Sequence, residues 1–396
     1  MRCMRWASDL KRLEWSQVSP ESSSDLLRNW ALEEGFDGAG IAKLEPSSQE
    51  QAFLRWLARG DHAAMAYMSR RTELRLDPRD IFPGARSAVC VALQYSPLKG
   101  QREVDGDLWP RVARYAMGVD YHDLMKQRLQ NLADRIRNEF PGCTTRAHVD
   151  TGPVLERELA SRAGIGVFGK NTMLLSEQSG SWFLLGELLL SLELEPDLPI
   201  ADLCGSCTRC LEACPTGALP EPYRLDANRC ISYWTIEHRG VFPLEIRRLT
   251  GGWVFGCDLC QEACPWNGDA IEVHHPPLEL PSKRAALDLT DLLRLDRESY
   301  VERFRGSPMK RAKQQGLQRN AAVAMGNSGN PRYVPALLEA LQDDSPLVRL
   351  HVAWALGEIG GEKAVAGLEA RQSCELDPDV AQEIDSALSR LDGLDA

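Results

Sequence analysis

Eight of the twelve cysteines lie between residues 204 and 264, as Cys204-x2-Cys207-x2-Cys210-x3-Cys214-Pro215, a lone Cys230, and Cys257-x2-Cys260-x3-Cys264-Pro265. Three thiolates spaced by two residues and followed by Cys-Pro make the pattern that caps a 4Fe-4S cubane, with the cysteine before Pro reaching a second one. The second run is one ligand short, because Val254 stands three residues before Cys257. Cys230 fills that place. The spacing thus predicts one cluster on Cys204, Cys207, Cys210 and Cys264 and another on Cys214, Cys230, Cys257 and Cys260. Structural zinc fits less well, since zinc ribbons use two separated C-x2-C pairs. Disulfides belong to secreted chains, and this N-terminus carries no secretory pattern. The chemistry indicated is electron transfer, one electron at a time. Cys3, Cys90, Cys143 and Cys374 stand alone and read as apolar fillers or surface thiols.

Asp150 is the acidic residue to single out. It ends a predicted strand, His148-Val149-Asp150, and Thr151-Gly152-Pro153 turns the chain into the next helix. A carboxylate at the carboxyl end of a strand in an open α/β sheet sits where ligands bind; the alternative is an N-cap or turn residue. Gly164-x-Gly166-x-x-Gly169-Lys170 matches a dinucleotide fingerprint in letters only. A helix precedes it and a strand follows, the reverse of the required order, and Asn171 stands where a P-loop needs Ser or Thr. Asp120-x-His122 matches the start of a cobalt-ligating Asp-x-His-x-x-Gly pattern, but Met125 occupies the glycine position. His122 is therefore expected on a helix surface or in the core rather than on a metal.

The elements that must position these groups are legible in outline. Ser22 to Ser24 open a helix that runs through Glu34 and stops at Gly35, and Ser47-x-x-Glu50 reads as the capping box of a second. A β-rich run spans Ser87 to Tyr95. Asp120 is the expected N-cap of a long helix with Leu124, Leu129, Leu132 and Ile136 on one apolar face. Strands are expected at Thr144 to Val149, Thr172 to Leu175 and Phe183 to Leu192, with a helix from Val154 to Ala163. Such alternation implies an α/β sheet with helical cover.

At 396 residues, 43% hydrophobic and 26% charged, the chain has the composition of a soluble protein of two or three domains. Its longest apolar stretch, Trp182 to Leu194, is broken by Glu187 and Glu193 and is too short to cross a bilayer. A cytoplasmic protein is expected. The net charge of −11 argues against indiscriminate nucleic-acid binding, yet Arg303, Arg305, Lys310, Arg311, Lys313 and Arg319 form a run without an acidic residue. That run is either a partner-binding face or a solvated helix surface.

Five segments follow: an extension at 1–20 without an assigned role, an α/β domain at 21–200, the cluster domain at 201–272, a Pro-rich linker at 273–286 and a helical domain at 287–396. In the last, Ala322-x-Ala324-x-Gly326 recurs 31 residues later as Ala353-x-Ala355-x-Gly357, and Val348 to Ile359 is echoed from Val380 to Leu391. Small residues at fixed helical positions let helix pairs stack, as in a short HEAT-like solenoid.

Several runs together resemble the epoxyqueuosine reductase family. They are Val149-Asp150-Thr151-Gly152-Pro153, Arg162-Ala163-Gly164-Ile165-Gly166, Gly169-Lys170-Asn171, Cys204 to Cys210, Ala213 to Ala218, Arg229-Cys230-Ile231-Ser232, Gly256 to Gln261 and the helical repeats. The resemblance extends over nearly all of the chain after about residue 21. It implies a multidomain α/β plus α fold: an α/β cobalamin-binding catalytic domain, a ferredoxin-like two-cluster domain and C-terminal HEAT-like repeats. It also implies reduction of epoxyqueuosine to queuosine at the tRNA wobble position, the last step of queuosine biosynthesis. Asp150 becomes the general acid, with a pKa raised above about 3.9 by burial against the corrin. Cobalamin contacts are implied at Arg75, Ala113, Asp150, Leu174, Leu185, Ser232 and Asp258, with no histidine on the cobalt.

Lys310, Arg311 and Lys313 are the expected tRNA contacts. The expected partners are tRNA carrying epoxyqueuosine and an external electron donor of ferredoxin or flavodoxin type, with no membrane and a monomeric chain. Two other readings are a cobalamin-dependent reductase of a small molecule, like the reductive dehalogenases, and a ferredoxin-type electron carrier. The helical tail with its basic opening disfavours the first. About two hundred N-terminal residues left without work disfavour the second.

Overall fold

The structure is a computed structural model that describes residues 22–95, 110–268, 275–278 and 287–392. The extension at 1–20, with Cys3, and most of the Pro-rich linker lie outside the described residues.

Four strands, β1 (Gly38–Lys43), β2 (Ser87–Gln94), β3 (Thr145–His148) and β4 (Phe183–Leu190), form one sheet in the order β1-β2-β4-β3. Every neighbouring pair is antiparallel. Helical cover on both faces is as the alternation predicts, but the switch-point rule for parallel sheets therefore does not explain the position of Asp150. Helices α1 (Ser23–Glu33), α3 (Tyr121–Glu139) and α4 (Glu156–Arg162) pack on the sheet, and α2 (Glu50–Ala58) lies between β1 and β2 in the chain. Side chains alternate between the faces of a strand. Val89, Val91 and Leu93 of β2 join Leu27 of α1 and Met125, Leu129 and Ile136 of α3. Ala88, Cys90 and Ala92 face the other way, toward Leu159 and Ala160 of α4.

The predicted start of α1 holds, with Ser22 Oγ accepting from Asp25 N at 3.2 Å. So does that of α3, where Asp120 accepts from His122 N at 3.3 Å. The capping box at Ser47 does not form. The Ser47 hydroxyl donates instead to the buried Glu158 carboxylate, whose other oxygen accepts from Ser48 N at 2.7 Å, and α2 starts without a side-chain cap. A buried carboxylate needs donors more than an exposed helix end does.

In the helical region, α5 (Gln314–Ser328), α6 (Pro346–Ile359) and α7 (Pro378–Asp392) stack side by side. The repeated small residues lie at the crossings. A Cβ on Gly326 would come within 2.7 Å of the Trp354 ring, and one on Gly357 within 2.7 Å of Ala387 Cβ. The apolar core of these helices runs without a break into Phe242, Val254 and Phe255 of the cluster segment. A Gly357→Val substitution forces the α6–α7 crossing apart, and overpacking of this kind costs about 1–3 kcal/mol. Thermal melting followed by circular dichroism should show the midpoint of the helical region fall by roughly 5 °C or more. An unchanged midpoint contradicts the close crossing.

Candidate active site

The cysteine segment folds around its thiols. Two four-residue helices, Arg209–Glu212 and Leu259–Glu262, carry Cys210 and Cys260 and pack against each other. Cys204, Cys207, Cys210 and Cys264 line one cavity with Lys170 and Trp266. Burial pushes the Cys210 thiol up, and the neighbouring Cys204, Cys264 and Cys207 add to the shift. Burial likewise pushes up Cys257, where Cys230 and Cys214 are the thiol neighbours, and Cys260, where Cys257, Cys230, Cys214 and Cys210 are. Thiols of the two runs thus lie near one another, Cys264 by Cys210 and Cys214 by Cys257. Among the described residues no three His, Cys, Asp or Glu side chains converge closely enough to hold one metal ion. A single zinc needs its thiolates at about 2.3 Å, whereas a cubane spreads them around its own volume.

Two features that sequence reasoning left without a role hold this segment in place. The Gly169-Lys170-Asn171 run lies in the turn between the paired strands Val167–Phe168 and Leu174–Leu175. From there Lys170 Nζ donates to the carbonyls of Gly205 (2.7 Å) and Cys207 (2.9 Å), and Asn171 Nδ2 to that of Cys260 (3.3 Å). From the other side, Asn320 Nδ2 in α5 donates to the carbonyls of Thr235 (2.9 Å) and Val254 (2.8 Å). Thr235 Oγ1 accepts from Gly256 N at 2.9 Å, next to Cys257. Arg319, expected on a basic face, is wholly buried and donates to the carbonyls of Trp234, His238 and Gly240. Its place within the alanine-rich turn of α5 was the available signal.

Asp150 lies two residues beyond β3 in a tight turn, with Thr151 N donating to Val149 O at 2.6 Å. Its φ of 56° is left-handed, a costly setting for a non-glycine residue that recurs at functional sites. Its backbone N–H donates to Glu156 Oε1, and its side chain is 58% accessible. Asp150 Oδ2 lies 3.0 Å from His122 Nε2, while His122 Nδ1 lies 2.6 Å from Asp120 Oδ1. In the chain by itself the His122 hydrogen bond outweighs burial and holds Asp150 below the ordinary aspartate value. Burial, then the charge of Asp150, pushes neighbouring Glu156 up to about 8. Glu187, already visible as a break in an apolar run, is fully buried on β4 between Cys90 and His148 of the adjacent strands. Among the described residues its carboxylate oxygens have no hydrogen-bond partner.

The other expected cofactor contacts fall on both sides of this turn. Arg75, in the short helix Thr72–Leu76, donates through Nη2 to Tyr67 O at 3.1 Å, and its buried Nε has no partner among the described residues. Leu174 is buried and Leu185 partly buried in the core on the α4 face. Ser232 hydrogen-bonds Cys230, and Ala113 N donates to Phe255 O at 2.8 Å. Asp258 is buried and accepts from Arg114 N at 2.8 Å; burial pushes its carboxyl up to about 6. The Tyr115 ring lies between Tyr121 of α3, at 6.2 Å between centroids, and Phe255 of the cluster segment, at 6.3 Å.

The basic run is only partly free for a partner. Lys310 pairs with Asp120 at 2.7 Å, Arg311 with Glu237 at 2.8 Å and Arg303 with Asp291 at 3.2 Å. Lys310 and Arg311 remain more than half accessible, at 56% and 54%, and Arg305 and Lys313 are exposed.

Comparison with known proteins agrees with this geometry. A family model described as epoxyqueuosine reductase QueG matches residues 75–151, a 4Fe-4S double cluster binding domain matches 203–267, and HEAT repeats match 309–389. The epoxyqueuosine reductase of Xanthomonas campestris is 41% identical over 87% of this chain and 98% of its own length. That of Escherichia coli is 36% identical over 84% and 88%. A crystal structure of epoxyqueuosine reductase with a tRNA-Tyr epoxyqueuosine-modified tRNA stem loop superposes with a TM-score of 0.84 at 32% identity, covering 93% of this chain and 98% of that one. The enzyme from Streptococcus thermophilus gives a TM-score of 0.83 at 28% identity, covering 92% and 98%. At these identities over nearly the full length of both relatives, the chain belongs to the epoxyqueuosine reductase family.

Proposed function

We propose that the chain reduces epoxyqueuosine in tRNA to queuosine, using two 4Fe-4S clusters and cobalamin, with Asp150 delivering a proton to the departing oxygen. The observation that carries this reading is the gathering of Cys204, Cys207, Cys210 and Cys264 on one cavity, with Cys214, Cys230 and Cys257 as the other thiol neighbours of Cys260. When bound, the clusters carry single electrons and cobalamin supplies a strongly reducing cobalt centre. The donor set suits the clusters: Cys204, Cys207, Cys210 and Cys264 hold one, and Cys214, Cys230, Cys257 and Cys260 the other. The unpartnered Nε of Arg75 suits an acceptor-rich cofactor, and Ala113, Leu174, Leu185, Ser232 and Asp258 complete the contacts proposed for it.

In the reaction both carbon–oxygen bonds of the epoxide break, a carbon–carbon double bond forms and the oxygen leaves as water, consuming two electrons and two protons. Without a proton the oxygen would depart as alkoxide or hydroxide, a poor leaving group. Asp150 meets this need from an accessible position on a backbone turn that fixes its direction. Lys310, Arg311 and Lys313 serve the tRNA phosphates; among the described residues no ion pair engages Lys313. An external ferredoxin- or flavodoxin-type donor supplies the electrons. A monomer in the cytoplasm, where tRNA is found, completes the reading.

Three outcomes are expected. Cys230→Ala should leave about four of eight irons per chain after anaerobic reconstitution, with the cluster on Cys204, Cys207, Cys210 and Cys264 intact by electron paramagnetic resonance; eight irons would remove Cys230 from the ligand set. Asp150→Asn should slow single-turnover reduction of an epoxyqueuosine stem loop by about 10²–10⁴-fold with RNA affinity and iron content unchanged. Full turnover by that variant rules out the proton role. Lys313→Ala should flatten the dependence of log affinity on log salt by about 0.7–0.9, and an unaltered slope returns Lys313 to ordinary surface.

A further inference from the structure

The Asp120-x-His122 pair, set aside as a metal site, lies at the start of α3 with its groups arranged in a line. Asp120 Oδ1 accepts from the His122 backbone N at 3.3 Å and from the ring Nδ1 at 2.6 Å, while Oδ2 accepts from Lys310 Nζ at 2.7 Å. On the far side of the ring, Nε2 is 3.0 Å from Asp150 Oδ2. The Tyr121 ring stacks on the imidazole at 4.1 Å between centroids. An imidazole between two carboxylates satisfies both only when each nitrogen carries a proton. The surrounding groups are Lys310 and Arg311 from the helical region, Glu156 from α4, and Asp120 and Tyr121 from α3 itself. Burial works against the charged ring, but the hydrogen bonds to Asp120 and Asp150 overcome it and raise His122 to about 9.

We propose that Asp120 and His122 form a proton relay that loads Asp150, with His122 storing the proton and Asp120 holding it there. The inference rests on the proposed function, in which Asp150 protonates the departing epoxide oxygen. It answers the difficulty that Asp150 is itself held as a carboxylate. In the step, the imidazolium Nε2–H bond breaks as an O–H bond forms on Asp150, and the resulting acid passes its proton to the oxygen. The electron pair of the broken bond stays on nitrogen, leaving a neutral ring whose Nδ1–H still binds Asp120. The relay exchanges no electrons; those come from the reducing centres the activity already uses. Solvent supplies the second proton and recharges His122. Both residues are positioning residues, since they act on the substrate through Asp150.

The test uses cluster- and cobalamin-loaded enzyme. Asp120→Asn is the informative variant, because Asn caps a helix as well as Asp while it removes the charge and turns the acceptor facing Lys310 into a donor. Site-resolved carbethoxylation with diethyl pyrocarbonate, which attacks neutral imidazole alone, should spare wild-type His122 at pH 7.5 and modify it as the pH passes about 9. In Asp120→Asn the reaction at pH 7.5 should be roughly tenfold faster. The single-turnover rate at saturating RNA should fall above about pH 9 in the wild type, and this limb should move to lower pH in Asp120→Asn. His122→Gln should lose the limb and at least tenfold in rate, with RNA affinity and iron content unchanged. A wild-type rate and pH profile in His122→Gln overturns the relay, as does wild-type His122 that is freely modified at pH 7.5. Wild-type enzyme that leaves epoxyqueuosine RNA untouched while His122 titrates as described sinks the proposed function instead.

Discussion

The exchange of cysteines between two loops is the constraint on which the rest of the structure depends. Each proposed group of four thiols takes members from both Cys-rich runs, so neither loop can be complete without the other. Bringing thiols together in a partly apolar setting is unfavourable for their charged form, which is why burial raises Cys210, Cys257 and Cys260. The segment draws support from two sides. Lys170 and Asn171 fasten the loops from the α/β side, and Asn320 and Arg319 fasten the backbone around Thr235 from the helical side. Buried side chains that satisfy several carbonyls at once fix one arrangement of that backbone.

This bracing gives the helical repeats a second task. Their core is continuous with the aromatic residues beside Cys257, and Lys310 reaches from their opening segment to the N-cap of α3. Electron and proton chemistry are thus tied to the same helical scaffold. Asp258 follows a cluster cysteine directly, Asp150 sits in the turn after β3, and the charges of both bear on Tyr115.

How much was legible in the sequence follows from the range of the forces involved. Cluster ligands are read from spacing because coordination geometry dictates the local backbone, and helix starts at Ser22 and Asp120 are read because capping is local. The small-residue repeat was readable because Gly326 and Gly357 answer to a periodic crossing. Strand direction was not, since antiparallel pairing of β3 with β4 joins residues about forty positions apart and leaves no mark on either. Ser47 failed as a cap for the same reason: its partner Glu158 lies 111 residues away. The electrostatics of Asp150 were hidden too. The partner that lowers its carboxyl, His122, is 28 residues distant and was expected on a helix surface or in the core rather than beside Asp150. Arg319 shows the limit of charge counting, because a basic run in sequence included one guanidinium that the fold spends on interior carbonyls.

The most direct test of the account is the fate of the substrate oxygen. Wild-type protein, reconstituted anaerobically and verified to hold about eight irons per chain, two clusters of four, together with bound cobalamin, is incubated with a strong reductant and epoxyqueuosine-containing tRNA. Nucleoside mass spectrometry should show the modified base lighter by one oxygen, with no change when either clusters or cobalamin are left out. An unaltered nucleoside from fully loaded protein contradicts the account at its centre.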